Sequence, residues 1–305
     1  MPELCVGHRC WAVPSGSNLL DALNGAGLNV PYSCRAGSCQ ACLVRCLDGL
    51  PDDARPEALS TDAREQGWRL ACQCQVTGDL RVAVFDPQTD GVPAEVSAVH
   101  WLGDVLRLHL RPARALRYRA GQHLLLWLGP VARPYSLASL PGEDALLEFH
   151  IDCRRPGAFC DQARSLKVGD ALALGALSGG ALQYDPDWQT RPLWLLAAGT
   201  GLAPLWSILR EALRQGHEGP IRILHVARTP YLAEALKALA GERVRVEQVS
   251  REGAEQALAR FQVSSRQTVA LVCGSPQWVE QVARRLFLAG VPRNQVLAEV
   301  FSERA

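Results

Sequence analysis

Four cysteines at unequal spacing constrain this sequence more than any other feature does. Cys34, Cys39 and Cys42 form the pattern C-x4-C-x2-C, and Cys72 follows after 29 further residues. Six of the eleven cysteines of this 305-residue chain fall within residues 34–74. The chain is too long to need a disulfide framework, and its first residues lack the charged-then-apolar shape of an export signal. Cysteines clustered in this way indicate metal binding or redox chemistry.

The spacing predicts a [2Fe–2S] cluster held by these four thiolates, because it matches the plant-type ligand pattern. Ferric iron and sulfide need soft anionic donors, and Gly37 gives the loop the backbone freedom to wrap around them. A zinc site is the alternative, but such sites usually pair two C-x2-C knuckles, and only one is present here. Six cysteines outside the pattern are interpreted as packing thiols: Cys5, Cys10, Cys46, Cys74, Cys153 and Cys160.

The residues around the motif carry a family resemblance. The segment LNVPYSCRAGSCQACLVRC, residues 28–46, resembles plant-type ferredoxins, which implies a β-grasp domain, expected over residues 1–88. Gln40 stands where many bacterial relatives carry Gly, at a position that supplies no ligand. The stretch Ser17–Leu23 predicts a short helix capped by its serine.

The middle of the chain has the pattern of a small antiparallel barrel. Strand-like runs at 105–110, 123–128 and 146–151 are separated by Gly and Pro turns, which predicts a barrel over residues 95–188. The preceding stretch, residues 85–95, contains two prolines among small and polar residues and is predicted to be a linker.

A second motif lies in the barrel segment. The run R-P-Y-S at residues 133–136 matches the R-x-Y-S signature of the ferredoxin–NADP⁺ reductase superfamily, and A-G-Q-H at 120–123 resembles its P-G-Q turn. The resemblance implies a flavin, FAD rather than FMN. Arg133 would bind a flavin phosphate, Tyr135 would stack against the ribityl chain or the ring, and Ser136 would hydrogen-bond flavin N5.

Four more residues are candidates for flavin contact. Gly157, Ala158 and Cys160 lie where relatives often have a Gly-x-x-Ser/Thr segment whose amides hold the pyrophosphate. Cys160 replaces the hydroxyl residue, so the backbone contacts are better supported than the side-chain contact. His150, in the run 146–151, is the fourth candidate.

From Pro192 onward, strand and helix patterns alternate, which predicts a doubly wound α/β domain over residues 189–305. The apolar run 193–198 leads into a glycine turn whose amides and helix dipole can hold a pyrophosphate. Its form, G-T-G-x-A-P, resembles the nicotinamide-binding turn of the same superfamily. The candidate contacts there are Gly199, Thr200, Gly201, Ala203 and Pro204.

Two further matches follow near the C-terminus. Cys273, Gly274 and Pro276 resemble the C-G-x-P motif of the superfamily, which implies that Cys273 lies beside the nicotinamide ring. Glu299 and Phe301 resemble the acidic and aromatic residues at its flavin face.

Three of these residues are expected to act in hydride transfer. By the resemblance, Glu299 positions Ser136 or the nicotinamide, Phe301 covers the flavin ring, and Cys273 lies at the ring. We therefore interpret Ser136, Cys273 and Glu299 as catalytic.

The sequence contains opposing signals for NADH and NADPH. Arg228 stands where an acidic residue would bind a ribose 2′-hydroxyl, and by the general dinucleotide rule it favours a 2′-phosphate. The string A-R-T-P, however, resembles NADH-using oxygenase reductases, and no second basic residue appears before Lys237. We expect NADH, with NADPH as the alternative.

The order of the motifs implies the function. Cluster, flavin barrel and nicotinamide domain occur in this order in reductases of bacterial ring-hydroxylating dioxygenases and soluble di-iron monooxygenases. A flavin converts the hydride of NAD(P)H into single electrons for a [2Fe–2S] cluster. The expected partner is a terminal oxygenase or another redox acceptor. A reductase feeding a deoxysugar dehydratase and a redox-sensing module without turnover are the alternatives.

Charge and hydropathy exclude other classes. The net charge is +1 and no apolar run reaches 18 residues, so neither nucleic acid nor a membrane is expected as a partner. Residues 1–90 contain seven arginines against eleven acidic residues, and this acidic third suits a basic partner surface. We expect its exposed loop, residues 35–41, to contact the partner, and we expect a cytoplasmic location.

Overall fold

The computed structural model describes residues 1–179, 181–263 and 265–301. The last residues of the predicted nicotinamide domain, 302–305, lie outside this range. The chain folds into a β-grasp ferredoxin domain, an antiparallel flavin barrel and a parallel α/β domain, which confirms the predicted fold class. None of the described helices is long and apolar enough to cross a membrane.

The ferredoxin domain is built on a five-stranded mixed sheet of order β2-β1-β8-β4-β6, with β1 and β8 parallel, and a small sheet β3-β7-β5 beside it. Helix α1 covers the sheet through buried leucines at positions 19, 20 and 23. The elements are β1 Glu3–Val6, β2 Arg9–Ala12, β3 Ser17–Asn18, α1 Leu19–Gly25, β4 Leu43–Asp48, β5 Asp52–Asp53, α2 Thr61–Glu65, β6 Trp68–Leu70, β7 Cys74–Val76 and β8 Leu80–Val84, with 3₁₀ turns at Pro56–Ala58 and Ala71–Gln73.

Two predictions for this domain are wrong in detail. The cap of α1 is Asn18, whose side chain accepts the amide of Asp21, whereas the Ser17 hydroxyl donates to the carbonyl of Pro14. Cys5 and Cys10 are joined by a disulfide, since they face each other across the β1–β2 hairpin. Neighbouring strands bring paired residues close enough for a disulfide, which spacing in the sequence does not reveal.

The barrel is six-stranded and antiparallel, in the order β12-β11-β14-β9-β10-β13. A bridge between Leu137 and Phe149 joins its two ends. The first strand starts at Val92, so the linker is shorter than the predicted 85–95. The elements are β9 Val92–Leu102, β10 Val105–Pro112, β11 His123–Leu128, β12 Val131–Ser136, β13 Leu147–Asp152, α3 Ala158–Ala163 and β14 Ala171–Ser178, followed by a 3₁₀ turn at Pro186–Trp188.

The α/β domain has a parallel sheet of order β17-β16-β15-β18-β19. Its order reverses between β15 and β18, and a ligand site is expected at the carboxyl ends of such neighbouring strands. The elements are β15 Leu193–Ala198, α4 Leu202–Arg214, β16 Ile221–Val226, α5 Ala233–Leu239, β17 Val244–Val249, α6 Ala254–Ala259, β18 Val269–Gly274, α7 Pro276–Leu288 and β19 Val296–Val300, with 3₁₀ turns at Gly199–Gly201 and Arg293–Gln295.

Candidate active site

One cavity of about 1820 Å³ opens between the three domains. It exceeds the ~1,000 Å³ of a large drug-sized pocket, so it has room for more than one small ligand. Its wall contains the cluster loop, the R-P-Y-S strand, the glycine turn after β15 and the ends of β18 and β19. The predicted residues in the wall are Cys34, Cys39, Arg133, Tyr135, Ser136, His150, Gly157, Cys160, Gly199, Thr200, Ala203, Arg228, Gly274, Glu299 and Phe301.

The four predicted cluster ligands are arranged as two pairs. Cys34 shares a hydrogen bond with Cys39, and Cys42 shares one with Cys72. Backbone amides also point at the sulfurs: Cys39 N lies 3.3 Å from Cys34 Sγ, and Cys72 N lies 3.4 Å from Cys42 Sγ. Amides directed at thiolate sulfur tune the potential of iron–sulfur clusters, so the donor set fits such a cluster.

The spacing of the sulfurs also argues against zinc. In a tetrahedral zinc site with bonds near 2.3 Å, neighbouring sulfurs lie about 3.8 Å apart. Among the described residues, no three of the four motif cysteines have their sulfurs within 4.8 Å of one another. The four motif cysteines are therefore too far apart as a set for one ion, and two pairs fit two irons.

The thiol environments differ within each pair. The hydrogen bond from Cys39 is the main cause that lowers the pKa of Cys34 to about 4, and the bond from Cys42 lowers the pKa of Cys72 to about 6. The same hydrogen bonds raise the pKa of Cys39 and Cys42 well above the usual range, so each pair shares a proton that metal binding would release. Gln73, which sequence analysis missed, donates to Cys72 Sγ at 3.2 Å.

Gln40 has a backbone conformation that glycine adopts more easily than other residues. Its backbone φ is 51°, in the left-handed region that costs other residues about 1 kcal/mol or more. The Gln40 side chain donates to the carbonyl of Ala58 at 2.9 Å and so holds this conformation.

The cluster loop turns toward the barrel, which partly overturns its predicted role as the partner contact. Ala41 is buried in an apolar cluster with Leu125, Trp127 and Ala132, and Cys39 packs against the same cluster. Only part of the predicted loop is exposed: Arg35, Ala36 and Ser38.

The flavin side of the cavity is shaped by close backbone approach. Gly121 has a φ of 91°, and a Cβ there would lie 2.1 Å from the carbonyl oxygen of Leu182, so glycine is required. The carbonyl of Gln122 accepts the amide of Leu137, which ties this turn to the end of the R-P-Y-S strand. Arg133 and Tyr135 are two residues apart on β12, so their side chains lie on the same side of the strand. The centroid of the Tyr135 ring lies 5.0 Å from that of Phe159.

Ser136 and Glu299 both line the cavity and contact each other. Ser136 Oγ donates to Glu299 Oε1 at 3.3 Å. Burial raises the pKa of Glu299 to about 7, although the bond from Ser136 lowers it. Glu299 Oε2 and His123 Nδ1 are buried without a protein hydrogen-bond partner, so both can receive a donor from a bound ligand.

The predicted pyrophosphate segment lies at the start of α3. Gly157 and Cys160 line the cavity beside Arg154 and Arg155, and Ala158 is the first residue of the helix. The two arginines, missed in the sequence, suit a polyanionic ligand.

The glycine turn after β15 is packed against the neighbouring strand. A Cβ on Gly201 would lie 2.3 Å from the carbonyl oxygen of Cys273, so this glycine permits the contact. Pro204 lies in the first turn of α4, where a missing N–H is tolerated.

A buried polar network supports this turn, and no sequence motif indicated it. His225 Nε2 lies 3.1 Å from the carbonyl oxygen of Gly199, and Tyr231 Oη lies 3.4 Å from the same atom. Gln248 Nε2 lies 3.0 Å from His225 Nδ1 and donates to the Tyr231 carbonyl at 3.1 Å. These contacts fix the carbonyl of Gly199.

His150 joins the barrel to this network. Its Nδ1 lies 3.3 Å from Tyr231 Oη, and its Nε2 lies 2.8 Å from Glu148. Burial alone would raise the pKa of Glu148, but hydrogen bonds from His109, His150 and Arg107 lower it well below its usual range. The candidate flavin contact His150 is thus also a link between two domains.

Of the C-G-x-P residues, Gly274 lines the cavity and Cys273 is buried in the core. Cys273 is fully buried, and its thiol lies behind the wall; burial and the nearby Glu299 raise its pKa well above the usual range. Gly274 lines the cavity and accepts the amide of Phe301 at 2.8 Å. Pro276 opens α7, which Ser275 caps.

At the far end of the cavity, the structure places a second basic residue near Arg228. Arg251, in the loop after β17, lines the same wall together with Ser250 and Glu252. Glu252 accepts a hydrogen bond from Ser250 and interacts with both arginines, all of which lower its pKa. Arg251 was not predicted from the sequence, because the two arginines follow different strands, β16 and β17.

Family models match both ends of the chain. Residues 7–77 match the 2Fe-2S iron-sulfur cluster binding domain, and residues 195–284 match the oxidoreductase NAD-binding domain. The first match contains all four motif cysteines, and the second contains the glycine turn and the C-G-x-P motif.

Whole-chain relatives have the same organisation. The ferredoxin–NAD(P)⁺ reductase component of the naphthalene 1,2-dioxygenase system of Pseudomonas putida is 30% identical over 96% of both chains. The ferredoxin–NAD⁺ reductase component of the Xanthobacter autotrophicus alkene monooxygenase system is 31% identical over 92% of this chain and 89% of its own. The cytochrome P450 reductase of Amycolatopsis superimposes with a TM-score of 0.67 and 27% identity over 99% of both chains. This chain belongs to the family of ferredoxin–NAD(P)⁺ reductase components, which join a [2Fe–2S] ferredoxin domain to a flavin- and nicotinamide-binding reductase.

Proposed function

We propose that this protein takes a hydride from NADH and supplies single electrons to a terminal oxygenase. The observation that carries this proposal is the shared cavity, whose wall contains the cluster loop, the R-P-Y-S strand and the glycine turn. A ligand in this cavity can contact all three. When bound there, FAD supplies the conversion of a two-electron hydride into single electrons.

The chain's own residues bind and orient in this proposal. Arg133 and the segment Gly157–Cys160 hold the flavin phosphates, with Tyr135 against the ribityl chain or ring. The turn Gly199–Gly201 holds the nicotinamide pyrophosphate at the start of α4. Ser136 and Glu299 form a polar pair at the reacting face, and a protonated Glu299 can donate a hydrogen bond there.

The partner is inferred from the relatives and from charge. The relatives named above are components of dioxygenase and monooxygenase systems. The first 90 residues are acidic, with eleven carboxylates against seven arginines, and would attract a basic acceptor surface. The exposed part of the ferredoxin domain, rather than the half-covered loop 39–41, is then the surface for the partner.

The proposal includes the domain limits 1–88, 95–188 and 189–305, with the first barrel strand starting three residues before the second domain's limit, at Val92. It also includes a cytoplasmic location.

An anaerobic visible spectrum of the pure protein, before and after NADH, tests this function. We expect overlapping flavin and cluster absorption that bleaches with NADH. Flavin absorption that bleaches without any cluster bands would contradict the ferredoxin function, and bleaching by NADPH alone would reverse the coenzyme.

A further inference from the structure

His123 stands at the point where the cluster loop meets the cavity. It is the first residue of β11, where it pairs with Ser136 of β12 on one side and Ser178 of β14 on the other. The side chain is 6% exposed. Its ring therefore has a fixed position between the barrel wall and the ferredoxin domain.

The ring makes a hydrogen bond across the domain boundary. His123 Nε2 lies 3.3 Å from the carbonyl oxygen of Cys39, a residue 84 positions away and a predicted cluster ligand. A carbonyl can only accept, so Nε2 carries the ring proton and donates. The barrel thus holds the backbone of the cluster loop at a ligand residue.

The same peptide unit is held from the other side. The residue after this carbonyl is Gln40, whose left-handed backbone is fixed by its side-chain bond to Ala58. Ala41 then packs against Leu125 and Trp127 of the barrel. The apolar contact attaches the loop to the barrel, and the His123 bond sets the orientation of the Cys39 peptide.

The other ring nitrogen faces the cavity. His123 Nδ1 lies 3.8 Å from Glu299 Oε1, too far for a direct hydrogen bond, and has no hydrogen-bond partner among the described residues. One imidazole therefore touches the cluster loop through Nε2 and borders the Ser136–Glu299 pair through Nδ1.

We propose that His123 is a positioning residue that clamps the cluster loop, through the carbonyl of Cys39, against the wall of the flavin cavity. The clamp deepens the proposed function, on which its effect on electron delivery rests. It acts through a hydrogen bond whose donor is one particular atom, Nε2.

Two amide substitutions separate this role from a general need for a polar side chain. Gln reaches the position of Nε2 and can donate to Cys39, whereas the shorter Asn reaches only the position of Nδ1. The His123→Gln and His123→Asn side chains thus carry the same amide group but differ in length. His8→Asn, at an exposed turn of the ferredoxin domain, is the matched control.

Hydrogen–deuterium exchange of the intact holoenzyme reports the clamp without depending on turnover. Loss of one hydrogen bond corresponds to about a tenfold change in an opening equilibrium. We expect the amides of residues 38–42 to exchange about tenfold faster in His123→Asn, and close to the wild-type rate in His123→Gln and His8→Asn. Equal protection in both His123 variants would overturn the proposal.

NADH-driven reduction of two acceptors reports the consequence. We expect His123→Asn to lower the ratio of cytochrome c reduction to ferricyanide reduction severalfold, and His123→Gln to restore this ratio. Equal loss with both acceptors would overturn the clamp, because His123 would then act at the flavin. A wild-type protein that reduces neither acceptor would overturn the proposed function, and the exchange result would still decide the clamp.

Discussion

Ser136 Oγ donates a hydrogen bond to Glu299 Oε1 at 3.3 Å, although the two residues are 163 positions apart. The serine ends β12 of the barrel, and the glutamate lies on β19, the last strand of the α/β domain. The contact therefore joins the predicted flavin strand to the nicotinamide domain at the point where their ligands would meet.

Glu299 makes stability depend on pH. Its pKa rises from 4.5 to about 7 on folding because the side chain is buried. Between these values the folded protein holds a proton that the unfolded chain has lost, so stability falls as the pH rises from 4.5 to 7. The difference amounts to about 3 kcal/mol at most.

Glu299→Gln should remove this slope. We expect the free energy of unfolding, measured in urea, to differ less between pH 5 and pH 8 for Glu299→Gln than for the wild type. Glu218→Gln, an exposed site in the same domain, should retain the wild-type difference. An unchanged difference in Glu299→Gln would show that this carboxyl is already ionised at pH 5.

Cys42→Ser should separate the two redox centres. The change removes a cluster ligand, so cytochrome c reduction by NADH should be lost, whereas ferricyanide reduction should remain largely intact because the flavin serves that acceptor directly. Cys46→Ser, at a half-buried thiol outside the motif, should leave both activities intact. Equal loss of both activities in Cys42→Ser would mean that the cluster is not a separate terminal relay.

The coenzyme preference should depend on Glu252 and Arg251. A carboxylate beside two arginines offsets the attraction of a 2′-phosphate, so Glu252→Gln should raise kcat/KM for NADPH several-fold and leave that for NADH nearly unchanged. Arg251→Gln should lower kcat/KM for NADPH. Steady-state kinetics with both coenzymes measures this, and parallel changes for both would exclude a role at the 2′-position.

Tyr231→Phe should weaken the network beneath the glycine turn. The change removes the hydroxyl between His150 and the Gly199 carbonyl, and we expect a loss of about 1 kcal/mol of stability. The KM for NADH should rise because the turn is less well fixed.

Tyr184→Phe is the control for this network. Tyr184 also bonds a histidine, His217, at 2.9 Å, but away from the glycine turn. The Tyr184→Phe variant should lose stability without a change in the KM for NADH. A raised KM in both variants would assign the effect to general destabilisation.

Local patterns predicted most elements closely. Strands 123–128 and 193–198 have the predicted bounds, because each is a largely apolar run, as a buried strand is. The C-x4-C-x2-C spacing likewise predicted a loop that brings the cluster ligands together. These features depend on residues near one another in the chain, so sequence periodicity encodes them.

Contacts between distant segments were decided only by the tertiary structure. The Cys5–Cys10 disulfide follows from strand pairing, and Arg251 joins Arg228 because two parallel strands end at the same edge of the sheet. The bond from His123 to Cys39 needs the ferredoxin domain docked on the barrel. The sequence by itself determined the domains and their ligand-binding motifs. The packing of the three domains decided which side chains share the cavity. The reason is that burial and hydrogen bonding between domains depend on position in space rather than on spacing along the chain.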